Sequence, residues 1–335
     1  MSLYKSILKQ SLHLTWHNKS LWFFGLFTAF LLGNGGEYEI IAKSFQNANE
    51  SFFPNIQNIA EKGFFSFQTI ENIGVIFKKD PAFILMIIAV GLIVLVLFLL
   101  LVWMIIISQI AIVDQAAKII KSKTKLQEVG IKNGLQVGIK KFWPIFYMNL
   151  ISKSFVWIAF MLISLPIVSL STEFTLKNNL IYLILFIVLI PSVIVFSFII
   201  KYAIAFLVIK NNNFFQSLKN SFMLFRENWL ISIEMAFVLF FINLFVVGLG
   251  LAILIFALAI PFAVLMFIAL KISINLFWLT VTVGPILAIL FIILIGSALS
   301  TFQISSWTGL FIRLISKKKE ESKIERLVKS KITTK

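Results

Sequence analysis

The chain holds two histidines, His13 and His17, and no cysteine. Four residues apart, the two imidazoles share one helix face and could reach a common metal ion. Without a clustered carboxylate or thiolate they make a poor site, so polar heads set at a membrane edge are the plainer reading. No Walker loop, HExxH or GxSxG occurs, and Gly248-Leu249-Gly250 lacks the strand, helix and acid of a nucleotide fold. No pair of catalytic groups stands out. The sequence therefore predicts a chain that is not an enzyme and uses no metal or cofactor.

Four ionisable residues interrupt apolar runs: Lys153, Lys201, Glu234 and Lys271. Each costs about 2.5–3.5 kcal/mol at membrane depth and so needs a partner or an exit to water. Lys201 and Lys271 lie near predicted span edges and can snorkel. Lys153 stands ten residues beyond Trp143, and Glu234 five beyond Trp229, about 15 and 7.5 Å along their helices. They are expected to approach each other inside the bundle, with Asn149 and Asn243 as hydrogen-bonding neighbours. The pair is either structural or the lining of a transport or lipid-headgroup site. Gly284, Ala288, Gly296 and Ser300 share one column at spacings of four or eight, which suits close helix packing. Pro166, Pro191, Pro261 and Pro285 fall within or beside spans, where neighbouring groups can resatisfy the backbone.

Membrane helices must position these residues. Of 335 residues, 60% are hydrophobic and 13% charged, and the mean hydropathy is +0.99. A soluble domain carries about 25% charged and about 45–50% apolar residues; the excess here must face lipid. The expected fold is all-α, a polytopic transmembrane helical bundle occupying residues 1–312. Its six spans cover about 20–33, 82–113, 143–170, 180–209, 229–260 and 279–312, with an outer segment at 34–80 and a basic tail at 313–335. The net charge of +16 does not point to nucleic acid, because the basic residues sit between apolar runs rather than on one soluble module. Residues 34–80 hold six acids and four lysines, whereas 114–141 hold seven lysines and two acids, and the tail nine basic and three acidic residues. That asymmetry predicts a plasma-membrane protein of bacterial type with both termini cytoplasmic.

Two alternatives stay open. The short apolar run Leu21 to Leu32, followed by Gly33 and Gly35, resembles a signal-peptide core, although an uncleaved first span suits the spans that follow. Residues 229–311 have little polar punctuation; Pro261, Lys271, Ser273 and Asn275 mark an outer re-entrant or interfacial piece, and four shorter spans are the rival.

Three stretches look alike. Leu8-Lys9-Gln10-Ser11 with Leu14 and Asn18 matches Leu218-Lys219-Asn220-Ser221 with Leu224 and Asn228, at a constant offset of 210. Ile131-Lys132-Asn133-Gly134, leading to Lys140-Lys141-Phe142-Trp143, is a looser copy. The chain thus reads as three repeats of amphipathic surface helix plus helical hairpin, with chance similarity among low-complexity segments as the rival.

The opening Trp16-His17-Asn18-Lys19-Ser20-Leu21-Trp22-Phe23-Phe24-Gly25-Leu26 and the stretch from Ser217 through Asn228-Trp229-Leu230 resemble the bacterial membrane domain that accompanies glycerophosphoryl diester phosphodiesterases, and related uncharacterised six-span proteins. The resemblance implies a membrane module only. In that family a separate soluble barrel with Glu, Asp, His and a metal carries hydrolysis, and this chain contains no such segment. The expected partners are membrane lipids and, through the inner surface helices and tail, a membrane or cytoplasmic protein. The expected role is organising lipid or scaffolding a partner. The alternative is a small-molecule or lipid transporter with Lys153 and Glu234 lining a cavity.

Overall fold

The computed structural model describes residues 3–29, 81–122, 130–169 and 176–316. The expected outer segment 34–80, the end of the first span, the Gly33 and Gly35 region and the tail beyond Ser316 lie outside the described residues. Helices fill nearly all of what is described, and no strand occurs among those residues. In chain order they are α1 (Leu3–His17), α2 (Ser20–Ala29), α3 (Pro81–Ser122), α4 (Ile131–Lys140), α5 (Phe142–Ser169), α6 (Leu176–Lys210), α7 (Phe214–Glu227), α8 (Trp229–Ile253), a π-helical segment (Leu254–Ala259), α9 (Ile260–Ile272) and α10 (Ile274–Leu314). Apolar sequence immersed in hydrocarbon has no water to bind its peptide groups, so it closes its hydrogen bonds within the helix.

Among the described residues, five stretches are long and apolar enough to cross a membrane: Leu85–Lys121, Phe142–Leu162, Phe186–Lys210, Trp229–Ile272 and Ile274–Leu314. The chain is therefore a multi-pass, all-α membrane protein. The apolar α2, at ten residues, is shorter.

The last two stretches differ from the expected spans 229–260 and 279–312. Helix continues past Pro261 to Ile272, and the chain reverses at Ser273 rather than in a re-entrant piece. Proline removes the amide that would bind residue 257 and crowds that carbonyl; the wider π turns just before it absorb the misfit. At Ser273 the backbone is extended (φ −163°, ψ 138°), and its hydroxyl accepts the Asn275 amide at 3.2 Å, capping α10. The two arms run antiparallel. Gly250 faces Ile295 and Gly284 faces Phe262, a register that sets Pro261 and Pro285 at the same height. Residues 229–314 thus form one long helical hairpin.

The chain divides into two compact units. The first comprises 1–34, 105–148 and 198–335. At its centre lies the C-terminal half of α10, buried from Ser300 to Ser306 and from Thr308 to Phe311. Aromatic rings of α6 cover it: Trp307 meets Phe198 at 5.3 Å and Tyr202 at 6.2 Å, and Phe311 meets Phe206 at 4.8 Å between centroids. The second comprises 35–104 and 149–197. There Phe155 of α5 lies 4.5 Å from Phe196 of α6, and every residue of α3 from Leu85 to Leu101 is exposed.

Candidate functional site

The first unit gathers three joints where a short amphipathic helix meets an apolar one: α1 to α2 at Asn18, α4 to α5 at Lys141, and α7 to α8 at Asn228. At each, the backbone amide closes a last helical turn, Asn18 to Leu14 at 3.1 Å, Lys141 to Val137 at 3.2 Å and Asn228 to Leu224 at 3.1 Å. The Asn18 side-chain amide donates again to the Leu14 carbonyl at 2.9 Å, and that of Asn228 to Leu224 at 3.0 Å. Each asparagine side chain thus adds a second hydrogen bond to a carbonyl that its own backbone amide already binds. Ahead of each joint the buried face carries a small residue, Ser11, Gly134 or Ser221. Gly134 leaves no room for a Cβ, which would sit 2.7 Å from both the Gln115 side chain and the Phe24 ring. The constant offset in sequence is therefore a repeated structure.

The outer faces repeat as well. Lys9 and Lys219 are exposed. Beside them Leu12 is 58% exposed and Phe222 54%, apolar side chains left bare at equivalent positions. Exposed Trp16, Trp143 and Trp229 stand within two residues of the three joints. Tryptophan with adjacent lysine is what a helix needs to rest at a headgroup boundary.

The joints differ in what locks them. At the first, the Trp22 indole donates to the Thr15 carbonyl at 2.7 Å. At the third, Ser232 donates to the Asn228 carbonyl at 2.9 Å and lies 2.7 Å from the buried Tyr202 hydroxyl. At the second, Lys141 replaces asparagine. Its ammonium donates to the carbonyls of Leu207 at 3.1 Å and Val208 at 2.8 Å, and to the Asn211 side chain. These are the last acceptors of α6, where a helix welcomes a cation; Asn211 itself has φ 56°, ending that helix in the left-handed region. Burial pushes the Lys141 ammonium below the usual lysine range; Asp114 opposes this and Lys118 adds to it.

Of the residues singled out in the sequence, Glu234 takes a hydrogen bond from the Tyr4 hydroxyl, tying α1 to α8. Sequence reasoning missed Tyr4, since 230 residues separate the two. Glu234 and Asn243 belong to the first unit, Lys153 and Asn149 to the second. The expected packing column divides between two contacts. A Cβ on Gly284 would meet Phe262 of α9 at 3.0 Å, and one on Gly296 would meet Ala29 of α2 at 3.6 Å. Ser300 shares a hydrogen bond with Thr28 of α2 at 2.8 Å, and Ala288 is half-buried.

The seam between α2 and α10 is closer than that column suggested. A Cβ on Gly25 would fall well inside contact with the Ser297 carbonyl and the Thr301 hydroxyl. Thr301 donates to the Ser297 carbonyl at 2.9 Å and reaches the Leu21 carbonyl at 3.2 Å; the Ser297 hydroxyl donates to the Trp22 carbonyl. The signal for it was the run Ser297, Ser300, Thr301, Gln303, Ser305, Ser306 and Thr308, dense in hydroxyls for an apolar span.

His13 and His17 stack with centroids 3.8 Å apart on an exposed face, and the His17 Nδ1 lies 3.0 Å from the His13 carbonyl. Among the described residues no three His, Cys, Asp or Glu gather as metal ligands. No family model, curated protein or solved structure matches the chain.

Proposed function

We propose that this chain is a non-catalytic, multi-pass protein of the plasma membrane, with both termini cytoplasmic, that organises anionic lipid of the inner leaflet around its three jointed surface helices. It would be a membrane module of the kind that accompanies glycerophosphoryl diester phosphodiesterases. One observation carries this reading: Lys9 with Leu12 and Lys219 with Phe222 are exposed at equivalent positions of α1 and α7, each helix joined to an apolar helix by an asparagine that makes the same hydrogen bonds. Such a surface inserts its apolar flank at the acyl boundary and meets headgroup phosphates with its lysines. Each lysine near an anionic surface contributes about 1 kcal/mol. The lysine-rich connectors support the orientation.

Native mass spectrometry of protein purified from mixed anionic and zwitterionic phospholipid tests it. Anionic lipid is expected to be enriched on the wild type and to fall several-fold on the K9Q/K219Q double variant, while zwitterionic lipid stays level. Equal retention of the two lipid classes by the wild type overturns the proposal.

A further inference from the structure

The hairpin of residues 229–314 carries more apolar length than one upright bilayer crossing can cover. Its first arm, Trp229–Ile272, has 44 residues and its second, Ile274–Leu314, has 41. At 1.5 Å per residue the first is about 66 Å long, roughly twice the 30 Å hydrocarbon core. From Leu230 to Leu270 the only hydrogen-bonding or charged side chains are Ser232, Glu234 and Asn243, so no level along the arm favours emergence into water. Interface anchors stand at the two ends instead. Exposed Trp229 marks the base. At the tip are exposed Trp278 and Lys271, whose ammonium lies 4.9 Å from the Phe267 ring.

What coats the hairpin follows from how it is exposed. In α9 only Phe262, Met266 and Ala269 are covered, a single i, i+4, i+7 stripe, with Phe262 against Gly284 of α10; the other ten residues are exposed. A protein partner would be matched by one further stripe with polar residues opposite, whereas an apolar surface all round is what a lipid-immersed helix shows. Placing the base half in water instead would leave Phe237, Phe241, Leu244 and Phe245 bare in it.

We infer that the whole hairpin lies within the hydrocarbon of one bilayer, inclined at about 60° to the membrane normal, since about 66 Å of helix must fit within about 30 Å of depth. Helices rarely tilt beyond about 40°. A stretch longer than the hydrocarbon core tilts, kinks or locally thickens the bilayer, so this hairpin strains the lipid beside it, and its partner is a thick or easily thickened bilayer. The inference stands apart from any preference of the surface helices for anionic lipid.

The absence of cysteine lets a single introduced thiol report depth. Positions Phe237, Leu244, Ile255, Val264 and Phe267 are exposed, so cysteine there leaves the packing intact; each variant, reconstituted in vesicles, is spin-labelled and its depth read from collisions with oxygen and an aqueous nickel chelate. Depth is expected to change by about 0.7 Å per residue along the series, against 1.5 Å for an upright helix, with all five positions shielded from the chelate. Chelate access at Ile255 or Val264, or at Phe237 or Leu244, overturns the inference by showing that the tip or base half stands in water. A profile that crosses the midplane twice overturns it in favour of shorter spans. Loss of anionic-lipid retention in K9Q/K219Q alters none of these readings, so the two proposals fail separately.

Discussion

The two halves of α10 share one helix and one composition class, yet they sit in different solvents. From Ser297 to Phe311 the helix is wrapped by α1, α2 and α6 and carries seven hydroxyl or amide side chains. From Ile274 to Ile295 its main companions among the described residues are α9, the π segment and α8, and the apolar side chains of Trp278, Leu279, Ile286, Ile289 and Ile292 stand exposed. Lipid tails are as apolar as leucine, so helices immersed in them gain nothing from greasiness alone; close approach and hydrogen bonds do the joining. The wrapped half has both, whereas the bare half meets its neighbour through glycine contacts, Gly284 on Phe262 and Gly250 on Ile295. Polar content thus marks where protein, rather than lipid, surrounds a span.

The largest test of that contrast is at glycine. Gly25→Ala drives a methyl into the Ser297 carbonyl, which belongs to a backbone that cannot step aside, and is expected to cost about 1–3 kcal/mol. Gly25→Leu is expected to abolish folded yield. Gly248→Ala, on the exposed face of α8, meets nothing within 4 Å and is expected to be neutral or to stabilise by up to about 1 kcal/mol through helix propensity. Unfolding titrations in mixed micelles compare them; equal losses at the two glycines break the contrast. A middle-sized effect is expected at threonine. Thr301 and Thr282 both donate to the carbonyl four residues back, at 2.9 and 2.8 Å. Only Thr301 also reaches α2, so Thr301→Val is expected to cost about 0.6–1.7 kcal/mol, and Thr282→Val close to nothing. The smallest effect is expected at Ser305 and Ser306, whose buried hydroxyls have no hydrogen-bond partner among the described residues. Alanine at either position removes a desolvated hydroxyl and is expected to leave the midpoint unchanged or slightly raised; a clear loss would show that these hydroxyls join helices after all.

How legible this was depended on punctuation. The joints could be read because Leu14 and Leu224, and Asn18 and Asn228, keep one offset, and the local chemistry of a helix end needs only neighbours in sequence. Lys141 made the second copy look loose, since it serves the end of α6 as well as its own joint. The hairpin could not be read to its full length. Hydropathy falls to nothing decisive between Trp229 and Lys271, and Pro261, the one local break, is absorbed by π turns that no periodicity announces. The Tyr4 to Glu234 bond and the seat of Gly25 on Ser297 both depend on which helices lie together, and composition leaves that choice open. Glu234 was legible as a group needing company, and Tyr4 as that company was not.

Pro261 and Pro285 stand level with each other, one in each arm of the hairpin. Each deletes one backbone hydrogen bond from its own helix, so the paired rods are softened at a single latitude and stay stiff above and below it. A bending load on the hairpin is expected to be taken up at that latitude. The softened level lies about 18 Å from the turn, a dozen residues along either arm.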